Sequence, residues 1–472
     1  WILRKTLLRY FSDKTVAATI FLLALGTNWH HYARYDYGHT HIWLFCVLAA
    51  LIWQSQVFWE KTSLGAQSSP RIPIAAIKIG ALLGMAILTR PTEIAAVVIP
   101  LFWGMEFTQK SLRDRLFLLK NTWKSLLAAA IVAVAVGSIQ LVYWKIEAGQ
   151  WLYYSYNEQT FSFLRPHILD GMFSFKKGWL VYTPMMFFGL AGLFFLKKNR
   201  PELFPACLFF TVLTIYLAFS WDIWWYGGSF GQRTMVQGYA VLAIPLAGFV
   251  EFGLRKNWAR ALWPPVLVFL VFLNLFQSWQ GEITGLGLDP EGNTRAFYQR
   301  MFLRFKPELS DLKLLDGPDD FGDLPRNDLK TVFETGFERD TSPVFISSEQ
   351  KISGDKALII NGKQEFVPVF SFKIDNPNAR WARVDGQFLA PKKIWESWRG
   401  PSLVLVAVGP DGKQVRNAYH KPMRFLEEWR WKELFFDLKI PPGTDHFDVY
   451  FWQPNKDSRP LFVDNLRIET FR

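Results

Sequence analysis

The chain is poor in cysteine, with only Cys46 and Cys207, and both fall inside apolar runs. A disulfide framework and a cysteine-ligated metal site are therefore excluded. The chain also lacks any apolar run after about Gln280, although such runs fill everything before it. That asymmetry divides a membrane part from a water-soluble part, a division hidden by the whole-chain mean hydropathy of +0.08. No initiator Met precedes Trp1, and a basic segment (Arg4, Lys5, Arg9) runs directly into an apolar one without a signal-peptide pattern. The start reads as that of a fragment whose true N-terminus lies upstream. No repeat-related pair of broken helices with mid-membrane charges, the pattern of a transporter, is present in the sequence.

What is present begins with the apolar runs: roughly 15–30, 40–59, 73–89, 93–107, 125–145, 179–196, 202–220, 238–254 and 261–279. They predict about nine spans, several near the lower length limit, with the run after Pro91 the weakest. The formal charge of +12 lies largely in the short connections between them, which points to membrane orientation and away from nucleic acid. One alternating set of connections holds about seventeen Lys and Arg against about six in the other, so the first set is expected to be cytoplasmic.

Under that assignment the unusual polar chemistry gathers on the outer side. Residues 28–41 (NWHHYARYDYGHTH) set histidines around one carboxylate, Asp36, a candidate general base. His39 and His41 are candidate ligands for a divalent cation. The plain alternative is an interfacial loop of aromatics and histidines among lipid headgroups. Residues 90–93 (RPTE) place Arg90 where it could hold a phosphate, although Pro91 and Glu93 also suit a helix start. Residues 221–233 (WDIWWYGGSFGQR) combine glycines that admit a ligand with a fixed charge, Arg233, and with Trp225 and Tyr226, which could stack on a sugar. The long connection 151–184 offers His167 and Lys177 as phosphate contacts and Glu158 and Asp170 as acceptor contacts. Its lysines have a plainer reading as headgroup contacts.

Four ordered segments, GTNWHHYARYDYGHTH, LTRPTE, NEQTFSFLRPHILDGMFSFKKGWLVYTP and WWYGGSFGQR, together resemble bacterial membrane glycosyltransferases of the C-type superfamily (GT-C). Relatives are the protein O-mannosyltransferases and the transferases that put aminoarabinose on lipid A. The resemblance covers residues 1–280. It implies a helical enzyme of the bacterial inner membrane that moves a sugar from a polyprenyl-phosphate donor to a glycan, lipid or protein acceptor on the periplasmic side. It also implies an essential Asp or Glu in a first outer loop, upstream of this chain, so that Asp36 matches a second acidic position. The competing expectation is a non-enzymatic transporter or glycan-binding scaffold.

After a connector over 281–328, residues 329–472 read as short alternating strands broken by turn residues, suited to an antiparallel sandwich outside the cytoplasm. FETGFE and FVDNLRIE resemble the ends of jelly-roll modules of the carbohydrate-binding type, and that resemblance implies a structural calcium held by Glu334 and Asp464. Trp395 and Trp398 could stack on sugar rings; core or rim positions are the plainer reading for them and for Trp429, Trp431 and Trp452.

Overall fold

The computed structural model describes the whole chain except residues 64–73, 157–158, 283–287, 289–291, 318, 323, 340–344, 375, 377, 395–398 and 454–456. It divides into two compact units, Trp1–Gly292 and Asn293–Arg472.

The first unit is helical. Among the described residues, three helical stretches are long and apolar enough to cross a membrane: Thr40–Thr62, Trp123–Ala148 and Asn257–Glu282. The expected nine spans are thus reduced to three, and length is the reason. The runs at 15–30, 179–196 and 238–254 fold as helices Asp13–Gly26, Met185–Asn199 and Tyr239–Arg255, of 14, 15 and 17 residues. At 1.5 Å per residue these reach about 21–26 Å, short of the ~30 Å hydrocarbon layer. The run after Pro91 is shorter still, a 3-10 turn over Pro91–Val97 followed by Val98–Phe102.

Small residues set the closest helix contacts within this unit. Gly80 and Gly84, four residues apart on Ile74–Thr89, lie against the backbone of Ala129 and Ala133 so closely that no Cβ fits. Small residues at that spacing let helices touch where no hydrophobic effect drives them together. Gly192 meets the Pro245 carbonyl in the same way and seats Met185–Asn199 on Tyr239–Arg255. The latter helix is the centre of the unit, with every residue from Tyr239 to Glu251 buried. By contrast Trp123–Ala148 leaves Trp123, Leu127, Ile131, Val134 and Ile139 exposed, a contiguous apolar surface. Arg200 pins the base of the bundle. It grips both oxygens of Glu251 at 2.9 and 3.1 Å and donates from Nε to the Tyr10 carbonyl at 2.9 Å.

The second unit is the predicted antiparallel sandwich. Its strands are β1 (Lys330–Thr335), β2 (Ile346–Ser347), β3 (Ala357–Ile360), β4 (Phe366–Lys373), β5 (Trp381–Leu389), β6 (Ser402–Val408), β7 (Gln414–His420), β8 (Lys432–Lys439), β9 (His446–Trp452) and β10 (Leu461–Phe471). One sheet runs β2-β3-β10-β5-β8, with β1 also on β10, and the other runs β4-β9-β6-β7. Period-2 alternation turns Leu403, Leu405, Ala407, Val449 and Phe451 inward against Val384, Phe388, Phe436 and Ile468. Phe297, Met301 and Leu312, from the stretch expected as a connector, join this core. A buried ion pair sits in the first sheet, Arg383 to Asp437 at 2.7 and 3.0 Å, with the guanidinium 3.8 Å from the Phe435 ring centre. It is bidentate and further satisfied by the Phe321 N–H, the condition under which such pairs are tolerated.

His420 on β7 is buried, 5.0 Å from Phe436, and burial holds its imidazole down to about 4. The unfolded chain takes up this proton near 6.5, so the stabilisation is complete above that pH and is lost as pH falls from 6.5 towards 4. Up to about 3 kcal/mol is expected to disappear over that interval. Hydrogen exchange of β7 and β8 peptides in the intact chain should show the loss, and His420→Leu should flatten it.

Candidate functional site

In the helical unit the segment 28–41 folds as a short helix, Trp29–Arg34, a turn, and the start of Thr40–Ser63. Side-chain bonds fasten it to segment 221–233. Asn28 Nδ2 donates to the carbonyls of Phe230 (3.3 Å) and Gln232 (3.2 Å), while its Oδ1 accepts from Tyr239 Oη at 2.6 Å. Tyr32 Oη donates to the Phe230 carbonyl and accepts its N–H, at 3.1 and 3.0 Å. Asn274 adds bonds to the carbonyls of Leu25 and Thr27 at 2.8 and 2.9 Å. Gly231, at φ +59, turns the second segment so close to Tyr182 that a side chain would have to displace it.

This fastening brings most of the expected site residues together. Asp36 is half-buried, with Oδ2 3.5 Å from His39 Nε2 and 4.0 Å from His31 Nε2. His31 is buried and bonded through Nδ1 to Ser278 Oγ at 3.0 Å; burial pushes it down to about 4 although Asp36 pulls the other way, so it is neutral at pH 7. A carboxylate beside the neutral His31 imidazole can accept a proton from a hydroxyl brought to it.

Beside it lies a polar relay. Gln237 Nε2 donates to Glu93 Oε1 (2.9 Å), which leaves its Oε1 to accept from His41 Nδ1 (2.9 Å). That order fixes the His41 tautomer. Arg90 Nη1 lies 3.2 Å from both His41 nitrogens, and its guanidinium is 5.8 Å from the Tyr226 ring centre. Burial pushes the Tyr226 phenol up to about 12, while the charges of Arg90 and then Arg233 pull it back. Both arginines therefore bear on one point. The crevice there, lined by Arg90, Glu93, Tyr226, Thr234 and Gln237, holds about 20 Å³, room for one water. The same Pro91–Val97 turn shows Ile94 and Val97 to a second, apolar groove of about 380 Å³, walled by Leu83, Leu101, Ala129 and Val134.

Other expected residues stand elsewhere. Lys177 is buried and donates to the Ser229 carbonyl. The Trp225 face is covered by Lys176 Nζ at 3.4 Å. His167 precedes the helix Ile168–Phe173, its N–H on the Phe219 carbonyl at 2.7 Å, and Asp170 is exposed on that helix. Glu158 lies outside the described residues. The His39 and His41 rings are 6.2 Å apart, and a divalent cation at His41 would share its place with the Arg90 guanidinium. Among the described residues no group of three or more His, Cys, Asp or Glu is placed to hold a metal ion.

Gln237, Asn28 and Tyr32 escaped the sequence reading, because a lone amide or phenol beside an apolar run is marked only by the partners the fold brings to it. Asp222 escaped it as well. Its carboxylate accepts from Thr160 N (3.0 Å), Thr160 Oγ1 (2.8 Å) and Ser162 Oγ, bonds that hold it below the usual carboxylate range. With the Phe161–Trp221 bridge they tie the long connection to segment 221–233.

The sandwich carries a second site. On the outer face of β4-β9-β6-β7, Phe366 pairs with Trp452, and Tyr419 and Tyr450 flank Val404. The rings form two edge-on pairs, Tyr419–Trp452 at 5.8 Å and Phe366–Tyr450 at 5.9 Å. Tyr450 and Trp452 cover Val404, Val406 and Val408, and the polar edge includes Asn417, bonded to Tyr419 Oη at 3.3 Å, and Glu365, bonded to Trp452 Nε1 at 3.1 Å. Trp429 is exposed, Trp431 and Trp452 are half-buried, and Trp395 and Trp398 lie outside the described residues. Glu334 is exposed in register with Arg467, whereas Asp464 is fully buried and accepts the N–H groups of Ile352, Ser353 and Asn465 at 3.0, 3.1 and 2.7 Å. These residues therefore do not present the free carboxylate pair that a calcium ion would need.

No protein-family model and no curated protein matches the chain. Among solved structures, the sandwich resembles carbohydrate-binding modules. The xylan-binding CBM22-1 domain of Paenibacillus barcinonensis Xyn10C is 12% identical, with 31% of this chain and 99% of that one covered at a TM-score of 0.22. The C-terminal family 22 module of Clostridium thermocellum Xyn10B is 14% identical, with 30% and 94% covered at 0.21. Likeness at this level carries no binding specificity from one chain to another.

Asp222→Ala should free the long connection. Limited chymotrypsin digestion at the exposed Tyr153, Tyr154 and Phe163 is expected to quicken several-fold, and an unchanged rate would show the tether to be idle.

Proposed function

We propose that the chain is a glycan-handling protein of the bacterial inner membrane, with its sandwich outside the cytoplasm. The observation that carries this is the outer aromatic face of β4-β9-β6-β7. Four rings, two hydroxyls and a fringe of amide and carboxylate groups form a surface of the chemistry that saccharides need: C–H faces stack on rings while hydroxyls find polar edges. Titration calorimetry of the intact chain in nanodiscs with xylan, β-glucan and mannan oligosaccharides tests it. Trp452→Ala and Tyr419→Ala should each weaken binding about tenfold, the loss of about 1.4 kcal/mol of stacking. Equal binding by the variants, or none by the natural chain, would refute this role.

A second reading, glycosyl transfer from a polyprenyl-phosphate donor, is favoured by the Pro91–Val97 turn. One side of it faces the Arg90 crevice and the other the apolar groove, the two environments of an isoprenoid phosphate. In this scheme Asp36 takes the acceptor hydroxyl proton as the oxygen bonds to the sugar C1. The C1–O bond to phosphate breaks with its electron pair, and Arg90 and Arg233 hold the departing phosphate. The crevice must widen from its closed form to admit it. Transfer of radiolabelled sugar from such a donor should fall about a hundredfold in Asp36→Ala and in Arg233→Ala. No turnover with any lipid donor would leave the glycan-binding scaffold standing alone.

A further inference from the structure

The helix Thr40–Ser63 carries His41 at one end and a separate cavity at the other, 19 residues on and so about 28 Å away. This cavity, about 370 Å³, is lined by Tyr10, Gln56, Trp59, Glu60, Trp103 and Arg115 among others. Apart from Trp59, which also borders the apolar groove, none of them belongs to either site described above.

Arg115 lies on Gln109–Asn121, a helix capped by Thr108, whose Oγ1 accepts the Ser111 N–H at 3.1 Å. Its side chain is drawn inward, 7% exposed, while Arg113 on the same helix is exposed. The guanidinium lies 3.7 Å from the Trp59 ring centre and donates through Nη2 to the Trp103 carbonyl. Among the described residues Nη1 has no hydrogen-bond partner, and nor has the buried Oε1 of Gln56 on the facing helix. A half-paired cation and an unpaired acceptor on one cavity are costly unless something satisfies them. Gly104, at φ +72, keeps the wall thin beside the guanidinium.

We propose that this cavity binds a phosphate ester whose organic part bears hydroxyl groups. Arg115, with Nη2 engaged on a carbonyl, presents the two N–H groups of Nη1 to an anion, and a fixed guanidinium charge of this kind suits a phosphate oxygen. Gln56 Oε1 accepts a hydroxyl. Glu60, ion-paired with Arg9 at 2.6 Å, supplies a second acceptor for a hydroxyl. The indoles of Trp59 and Trp103 enclose the carbon skeleton. The chemistry fits a phosphatidylglycerol headgroup at the membrane surface and equally a soluble glycerol phosphate.

The intact chain in nanodiscs separates the two sources. Native mass spectrometry in phosphatidylcholine, with and without phosphatidylglycerol, reports the lipid; titration of glycerol 1-phosphate, with inorganic phosphate as the control, reports the soluble ligand. Binding of either is expected and names its source, with at least a tenfold loss in Arg115→Gln and none in Arg113→Gln. Gln56→Leu, on a different helix, should weaken binding as well, so that misfolding of Arg115→Gln leaves the site testable. The proposal is overturned if neither probe binds, if Arg115→Gln binds as the natural chain does, or if Arg113→Gln loses as much.

Discussion

Polar groups buried among apolar helices must find partners within the protein, and the knot around Asn28 and Tyr32 shows what that constraint builds. The two side chains bond to the backbone at Phe230 and Gln232 and to Tyr239, and so join two parts of the chain far apart in sequence. Each such bond would be modest in water. In a dry interior an unmade one is expensive, so the knot is effectively all or none. Asp36, His41, Arg90, Tyr226 and Arg233 are placed by it. Their convergence is a consequence of the fastening as much as of their own contacts.

The relay Glu93–Gln237–His41–Arg90 extends the same logic to the edge of the bundle. It is made from a turn too short to span a membrane, and that shortness is useful. A 3-10 turn over Pro91–Val97 aims Glu93 inward and leaves Ile94 and Val97 on the apolar side. Polar crevice and apolar groove thereby share one wall, and an amphiphile with a charged head could use both.

Much of this was legible in the sequence, and for identifiable reasons. The sandwich was readable because short strands are marked off by turn residues, some alternating with period two, as in HFDVYFW, and others short apolar runs, as in SLVLVAV. The gathering of Asp36, Arg90 and Arg233 was readable because polar residues cluster only where apolar runs pause. The number of spans was not, since hydropathy counts apolar residues without knowing whether they face lipid or protein. Tyr239–Arg255 is apolar because it is the core of the unit, buried along almost its whole length. Nor was Gln237 readable: a single amide at a helix start carries no signal until its partners are in place. On the sandwich, attention to tryptophan passed over Tyr419, Tyr450 and Phe366, whose grouping depends on the cross-strand register of β4, β9, β6 and β7.

The proposed transfer from a polyprenyl-phosphate donor stands on the Pro91–Val97 turn, one side of which faces the Arg90 crevice and the other the apolar groove. A diazirine-bearing polyprenyl phosphate, photolysed with the intact chain in nanodiscs and mapped by peptide mass spectrometry, tests it most directly. The account predicts adducts on residues 79–101 and 126–134 that unlabelled polyprenyl phosphate displaces. Adducts spread over every lipid-facing helix, Asn257–Glu282 included, and unaffected by competitor would contradict it.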